Sequence, residues 1–77
     1  MPRYFFNVKD GQHLPDHEGT VLADAKAARV LAVFSAGEMI RAHAEQFWTD
    51  RDWQMHVTDE GGTSVCDLRF SGTAGVQ

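Results

Sequence analysis

Residues 51–70 run Arg-Asp-Trp-Gln-Met-His-Val-Thr-Asp-Glu-Gly-Gly-Thr-Ser-Val-Cys-Asp-Leu-Arg-Phe. From Arg51 to Thr58 the chain alternates, with Trp53, Met55 and Val57 on one side and Gln54, His56 and Thr58 on the other. That is the pattern of an antiparallel strand with one face in a core and one in water. Thr63 to Phe70 repeats it, with Cys66, Leu68 and Phe70 facing one way and Val65, Asp67 and Arg69 the other. Glu60-Gly61-Gly62 stands between the two runs, so they form a hairpin. Gly61-Gly62 lacks the strand-to-helix context of a phosphate-binding loop.

Upstream of the hairpin the period changes. Asp24 is a helix N-cap, and Ala25 to about Trp48 has strong helix propensity with only Gly37 as an internal weak point. One helix of about six turns is expected. At the start of the chain, Arg3 to Lys9 reads as a strand whose core face carries Tyr4, Phe6 and Val8, leaving Arg3, Phe5, Asn7 and Lys9 opposite. Asp10-Gly11 ends it in a turn. Gln12 to Ala23 holds Pro15, Gly19 and two histidines and suits a loop, with short extended pieces near Gln12–Leu14 and Thr20–Leu22. The expected fold is a single α+β domain over residues 1–70, of β-loop-α-β-β order. It has a small antiparallel sheet of three or four strands and one long helix packed on one face. Ser71 to Gln77 is small, polar and Gly-containing and is expected to be a disordered tail.

A chain of 77 residues forms a thin core. Natural domains of this size often add a disulfide, a metal or a partner subunit. Cys66 is the single cysteine, so no disulfide forms within the chain, and it is expected to act as a small buried apolar group. The lack of a cysteine framework fits a reducing compartment. No stretch approaches a membrane span, and Met1-Pro2-Arg3 leads into strand sequence and not a signal peptide, so a cytoplasmic location is expected. Seven Lys and Arg against eleven Asp and Glu give a formal charge of −4. That balance, with no Lys/Arg cluster, disfavours nucleic acid as a partner.

The helix has two apolar sides at 100° per residue. One carries Ala25, Ala28, Ala32, Ala36, Met39 and His43, flanked by Val33 and Ile40, and its small side chains let the helix sit close to a sheet. The other carries Val30, Leu31, Phe34 and Trp48, with Gly37 and Arg41 beside them. One sheet face covers only one stripe. Val30, Leu31, Phe34 and Trp48 are therefore the candidate interface, and a homo-oligomer, with a dimer favoured, is the expected assembly. Trp53 is assigned to the core and Trp48 to the interface.

Polar constellations offer weaker alternatives. His13-Leu14-Pro15-Asp16-His17-Glu18 gathers imidazoles and carboxylates able in type to hold a divalent cation or support hydrolysis, but no paired ligand spacing accompanies them. The plainer interpretation is a solvated loop whose Asp16 and Glu18 cap turns or the helix. His43 on the helix and His56 on a strand have no nucleophile with a paired base in sequence, so no catalytic, cofactor or metal residues are assigned.

Met1-Pro2-Arg3-Tyr4-Phe5-Phe6, Asp10-Gly11, Asp16-x-Glu18-Gly19-Thr20, Asp24 followed by Ala27-Ala28-Arg29, and Val57-x-Asp59-x-Gly61 together resemble a family of short uncharacterised bacterial proteins. The resemblance spans nearly the whole chain to Phe70 and implies the same strand, loop, helix and hairpin order, with no activity or cofactor attached. This chain departs from that pattern at Val30, Leu31, Phe34 and Gly37, where such proteins tend to be charged or polar. The first half is also similar, more loosely, to antitoxin domains of toxin–antitoxin pairs, through Pro15-Asp16-His17-Glu18-Gly19. The expected role is a non-enzymatic interaction module that self-associates or binds a protein partner. An antitoxin-like partner of a small basic toxin, and a metal-binding or hydrolytic enzyme using His13, Asp16, His17 and Glu18, are the alternatives.

Overall fold

The computed structural model describes residues 1–75. Among them the elements run β1 (Arg3–Lys9), β2 (His13–Leu14), β3 (Thr20–Val21), α1 (Ala25–Ala42), α2 (Ala44–Asp50), β4 (Asp52–Asp59) and β5 (Ser64–Ser71). The sheet is antiparallel throughout, in the order β2-β1-β4-β5, with β3 also paired to β1. This is the expected α+β arrangement, with a long helix against a small sheet. It has five strands because two short pieces of the Gln12–Ala23 loop pair with β1.

β1 is the first strand and β4 the second-to-last element, so the centre of the sheet joins distant parts of the chain. Tyr4 lies opposite Asp59 and Lys9 opposite Gln54 in that pairing. The hairpin β4–β5 follows, with Trp53 opposite Phe70, Met55 opposite Leu68 and Val57 opposite Cys66. A bulge between Val57 and Thr58 shifts the register near the turn. The turn itself is closed by Asp59, whose Oδ1 accepts the Gly61 and Thr63 N–H groups at 2.9 Å each.

Period-2 alternation sends Tyr4, Val8, Trp53, Met55 and Val57 to the helix side, where all five are buried, and Phe6 packs against them half-buried. α1 meets this face through Ala28 and Ala32, both with no exposed surface. Large side chains at those positions would hold the helix off β4 and β5; alanine lets the backbones approach. Asp24 caps α1 as expected, its Oδ1 accepting the Ala27 N–H at 2.9 Å.

The helical run differs from expectation in one respect: it is two helices, α1 and α2, separated at His43. His43 has φ −108° and ψ 26°, and its N–H is shared between the Met39 and Ile40 carbonyls at 3.1 and 3.2 Å. Beyond this break Phe47 lies in the core, where it is 9% exposed. α2 ends at Arg51, which takes left-handed backbone geometry (φ 61°) and donates its N–H to the Phe47 carbonyl.

The first two residues of the segment expected as a tail, Ser71 and Gly72, are tied to the sheet. Ser71 closes β5, and the Gly72 N–H donates to the Arg51 carbonyl at 3.2 Å, extending the ladder one pair further. Val76 and Gln77, the end of that expected tail, lie outside the described residues.

Candidate functional site

The candidate interface residues occupy two neighbouring places. Val30 and Phe34 stand on the outward side of α1, 65% and 67% exposed. Leu31 is half-buried. Trp48 lies on α2, 48% exposed, and is not part of the α1 stripe. It belongs instead to an aromatic cluster in which the Phe47 ring stands edge-on to Trp48 (5.4 Å between centroids, 76°) and to Phe70 (5.1 Å, 65°). These are edge-to-face geometries.

Beside that cluster runs an apolar groove of about 310 Å³ between the α1–α2 junction and the end of β5, with Ile40, Arg41, Trp48 and Phe70 among its walls. At helical spacing, Val30, Phe34, Gly37 and Arg41 fall within a narrow arc of α1. The outward stripe of α1 therefore leads into the groove. Val33 and Phe70, exposed by 63% and 47%, were not among the sequence-derived interface residues. Val33 flanks the alanine side in projection, which hid its exposure. Phe70 alternates with the core residues of its strand, yet at the strand's end it runs beyond the cover of α1.

The loop from His13 to Glu18 is organised by one carboxylate. Asp16 Oδ2 accepts the Phe6 N–H at 3.1 Å, while Oδ1 accepts the N–H groups of Glu18 (3.1 Å) and Gly19 (3.0 Å). The Asp16 N–H donates to Asn7 Oδ1 at 3.0 Å. Burial pushes the Asp16 carboxyl up, but the Gly19, Phe6 and Glu18 amides and the nearby His17 outweigh it and leave it below its ordinary value. Oδ2 thus ties the loop to β1 and Oδ1 holds the loop's own turn, and His13, His17 and Glu18 are exposed. Among the described residues no group of three or more His, Cys, Asp or Glu side chains is placed to share a metal ion.

His43 and His56 do not meet. His43 sits at the α1–α2 junction with Nδ1 3.3 Å from Gln46 Oε1, whereas His56 is on the sheet face turned away from the helices. There its Nε2 lies 3.1 Å from Ser64 Oγ, with Asp67 opposite it in the β4–β5 register. A hydroxyl nucleophile needs an oriented base and a site that excludes water; this pair is exposed on an open sheet. The Cys66 thiol is half-buried, and burial, opposed by Arg29 and aided by Asp67, pushes it up. It therefore stays protonated at neutral pH, as a small apolar group does.

On this geometry the chain is a small α+β domain whose distinctive surfaces are an outward apolar helical side, an aromatic groove and a strand edge. A family model described as Domain of unknown function (DUF6894) matches residues 3–71, which is β1 through β5 entire, and the chain belongs to that family. No curated protein and no solved structure matches it. Among the described residues, no helix is long and apolar enough to cross a membrane.

Proposed function

We propose that this chain is a non-enzymatic interaction module that self-associates through the outward side of α1 and the adjoining groove, acting in a reducing compartment such as the cytoplasm. The observation that supports it is the exposure of Val30, Val33, Phe34 and Trp48, four large apolar side chains on one helical layer, where eight hydrophobic residues form the buried core among the described residues. A contiguous apolar surface of that kind on a small domain marks an association site. Gly37 adds shape to it, because a Cβ placed there meets nothing within 4 Å, so the stripe has a shallow gap that a partner side chain can enter.

Sedimentation of the purified chain at micromolar concentration tests this. A dimer or higher oligomer is expected, and a clean monomer would remove the proposal. Phe34→Glu is expected to weaken association while leaving the fold intact, because Phe34 is two-thirds exposed. A variant that unfolds would place Phe34 in the core instead.

A further inference from the structure

The two edges of the sheet are treated differently. β1 has its outer edge paired at both ends, by β2 at Val8 and Lys9 and by β3 at Arg3 and Tyr4, with Asp16 taking the Phe6 N–H between them. β5, at the other edge, pairs only with β4 among the described residues. An eight-residue strand with one unpaired side is a template for another strand, and most proteins protect such an edge. We propose, building on self-association as the function, that β5 pairs antiparallel with β5 of a second copy about a two-fold axis at Leu68, making one continuous sheet.

The register follows from which backbone groups face outward and from charge. The Gly72 N–H donates to the Arg51 carbonyl, so the position where Arg51 and Gly72 face each other is a hydrogen-bonding one. Alternation then turns the N–H and C=O of Cys66, Leu68 and Phe70 toward β4 and those of Asp67 and Arg69 toward the free edge. With Leu68 opposite its own copy, each Asp67 lies opposite the partner's Arg69 in a hydrogen-bonded pair, and each Arg69 opposite the partner's Asp67. Two opposite-charge pairs result, on the sheet face away from the helices. On the helix face, each Phe70 comes to lie opposite the partner's Cys66, which covers a ring that is 47% exposed in the single chain. Shifting the two-fold to Asp67 or to Arg69 would set like charges against each other.

The helices fit the same arrangement. α1 packs over β4 and β5. With neighbouring strands about 4.8 Å apart, two copies joined through β5 bring their α1 axes to about 10 Å, the spacing of packed helices. The side of α1 toward β5 is identified by Arg29, whose charge acts on Cys66, and by Ile40, which lines the groove with Phe70. Val33 lies between them along the axis and within about 40° of Arg29 around it, so an exposed valine meets its copy across the two-fold.

Sedimentation of the wild-type chain, Asp67→Arg, Arg69→Asp and the double exchange tests the register, with circular dichroism to confirm folding. Each single change sets like charges opposite each other twice and should weaken dimerisation about tenfold; the double exchange should restore it. Amide hydrogen exchange of the wild type provides a second measurement that needs no variant. The Asp67 and Arg69 N–H groups should be protected at high concentration and lose protection on dilution. A dimer indifferent to the single changes, or one in which those amides exchange freely, would overturn this register and leave self-association standing. A monomer would overturn both.

Discussion

The carboxylate of Asp16 accepts the main-chain N–H of Phe6 at 3.1 Å, across ten residues of sequence. It fills the gap left in the edge of β1 between the stretch paired by β3 and the stretch paired by β2. A side chain thus continues a ladder that two short strands leave incomplete. The same carboxylate holds the turn through Glu18 and Gly19, so the loop and the edge are secured by one group. Closing this edge leaves β5 as the one long strand with an unpaired side among the described residues.

Asp16→Ala should therefore destabilise the domain by about 2 kcal/mol, as expected for loss of charge-assisted bonds to partly buried amides. Chemical denaturation measures the total, and hydrogen exchange should show lost protection at Phe6, Glu18 and Gly19. Asp16→Asn keeps one acceptor oxygen and should recover part of the loss. A variant as stable as the wild type would mean that water replaces the carboxylate without cost.

Acid should act through the same group. Its carboxyl lies below the ordinary value in the folded chain, so the unfolded chain binds the proton more readily. Its contribution is fully present above the unfolded value, about pH 4, and is lost as pH falls through the lower folded value. Stability measured from pH 6 down to pH 2 should fall more steeply for the wild type than for Asp16→Asn. Parallel curves would assign acid sensitivity to other carboxylates.

The faces of α1 give a contrast between neighbours. Ala28 has no exposed surface and Val30 is 65% exposed. Ala28→Leu should cost about 1–3 kcal/mol by forcing α1 away from β4 and β5. Val30→Ala should change the stability of the monomer by less than about 0.5 kcal/mol. Thermal melts at low concentration separate these effects from association.

The alternation of Trp53, Met55 and Val57 and the helical spacing of the alanines were legible in the sequence because each extends over several repeats. β2 and β3 are two residues each, too short for any period to show, and their pairing depends on Asp16 reaching back to β1. The break at His43 has no local signal either. Gly37 is the weakest helix former in the run, yet α1 passes through it unbroken. The break falls where Phe47 must turn toward Trp53 and Phe70, a demand made by packing and not by propensity. For the same reason Trp48 could be placed at the surface from its sequence but not separated from Val30 and Phe34. That separation arises only because the helical run breaks at His43, which puts Trp48 on α2.

Arg51 ends α2 with φ at 61°, a conformation that costs a residue bearing a Cβ roughly 1 kcal/mol. Its Nε adds only a long contact of 3.4 Å to the Trp48 carbonyl. Arg51→Gly should raise stability by up to about 1 kcal/mol, since glycine is the favoured residue at this cap. Arg51→Val should lower it, because branching at Cβ worsens the strain. Urea midpoints compare the two, and a glycine variant less stable than the wild type would show that the arginine side chain supplies more than the strain removes.

Two glycines with similar backbone angles should respond differently to alanine. Gly19 and Gly62 have φ of 72° and 84°, so alanine is strained at both. At Gly62 the added methyl meets nothing within 4 Å, and the cost should be the conformational one alone, about 1 kcal/mol. At Gly19 it would come within 2.9 Å of the Tyr4 carbonyl oxygen and the Phe5 ring and 2.8 Å of Arg3 Cγ. The arginine stem can move, but the Tyr4 carbonyl belongs to β1 and is paired in its ladder with β3. Relieving the contact requires the loop to lift from the strand, which also stretches the bonds from Phe6 and Gly19 to Asp16. Gly19→Ala should therefore cost at least about 1 kcal/mol more than Gly62→Ala, and Phe6 should lose hydrogen-exchange protection only in the Gly19 variant. Equal costs, with Phe6 still protected in both, would mean that the loop does not depend on this close approach.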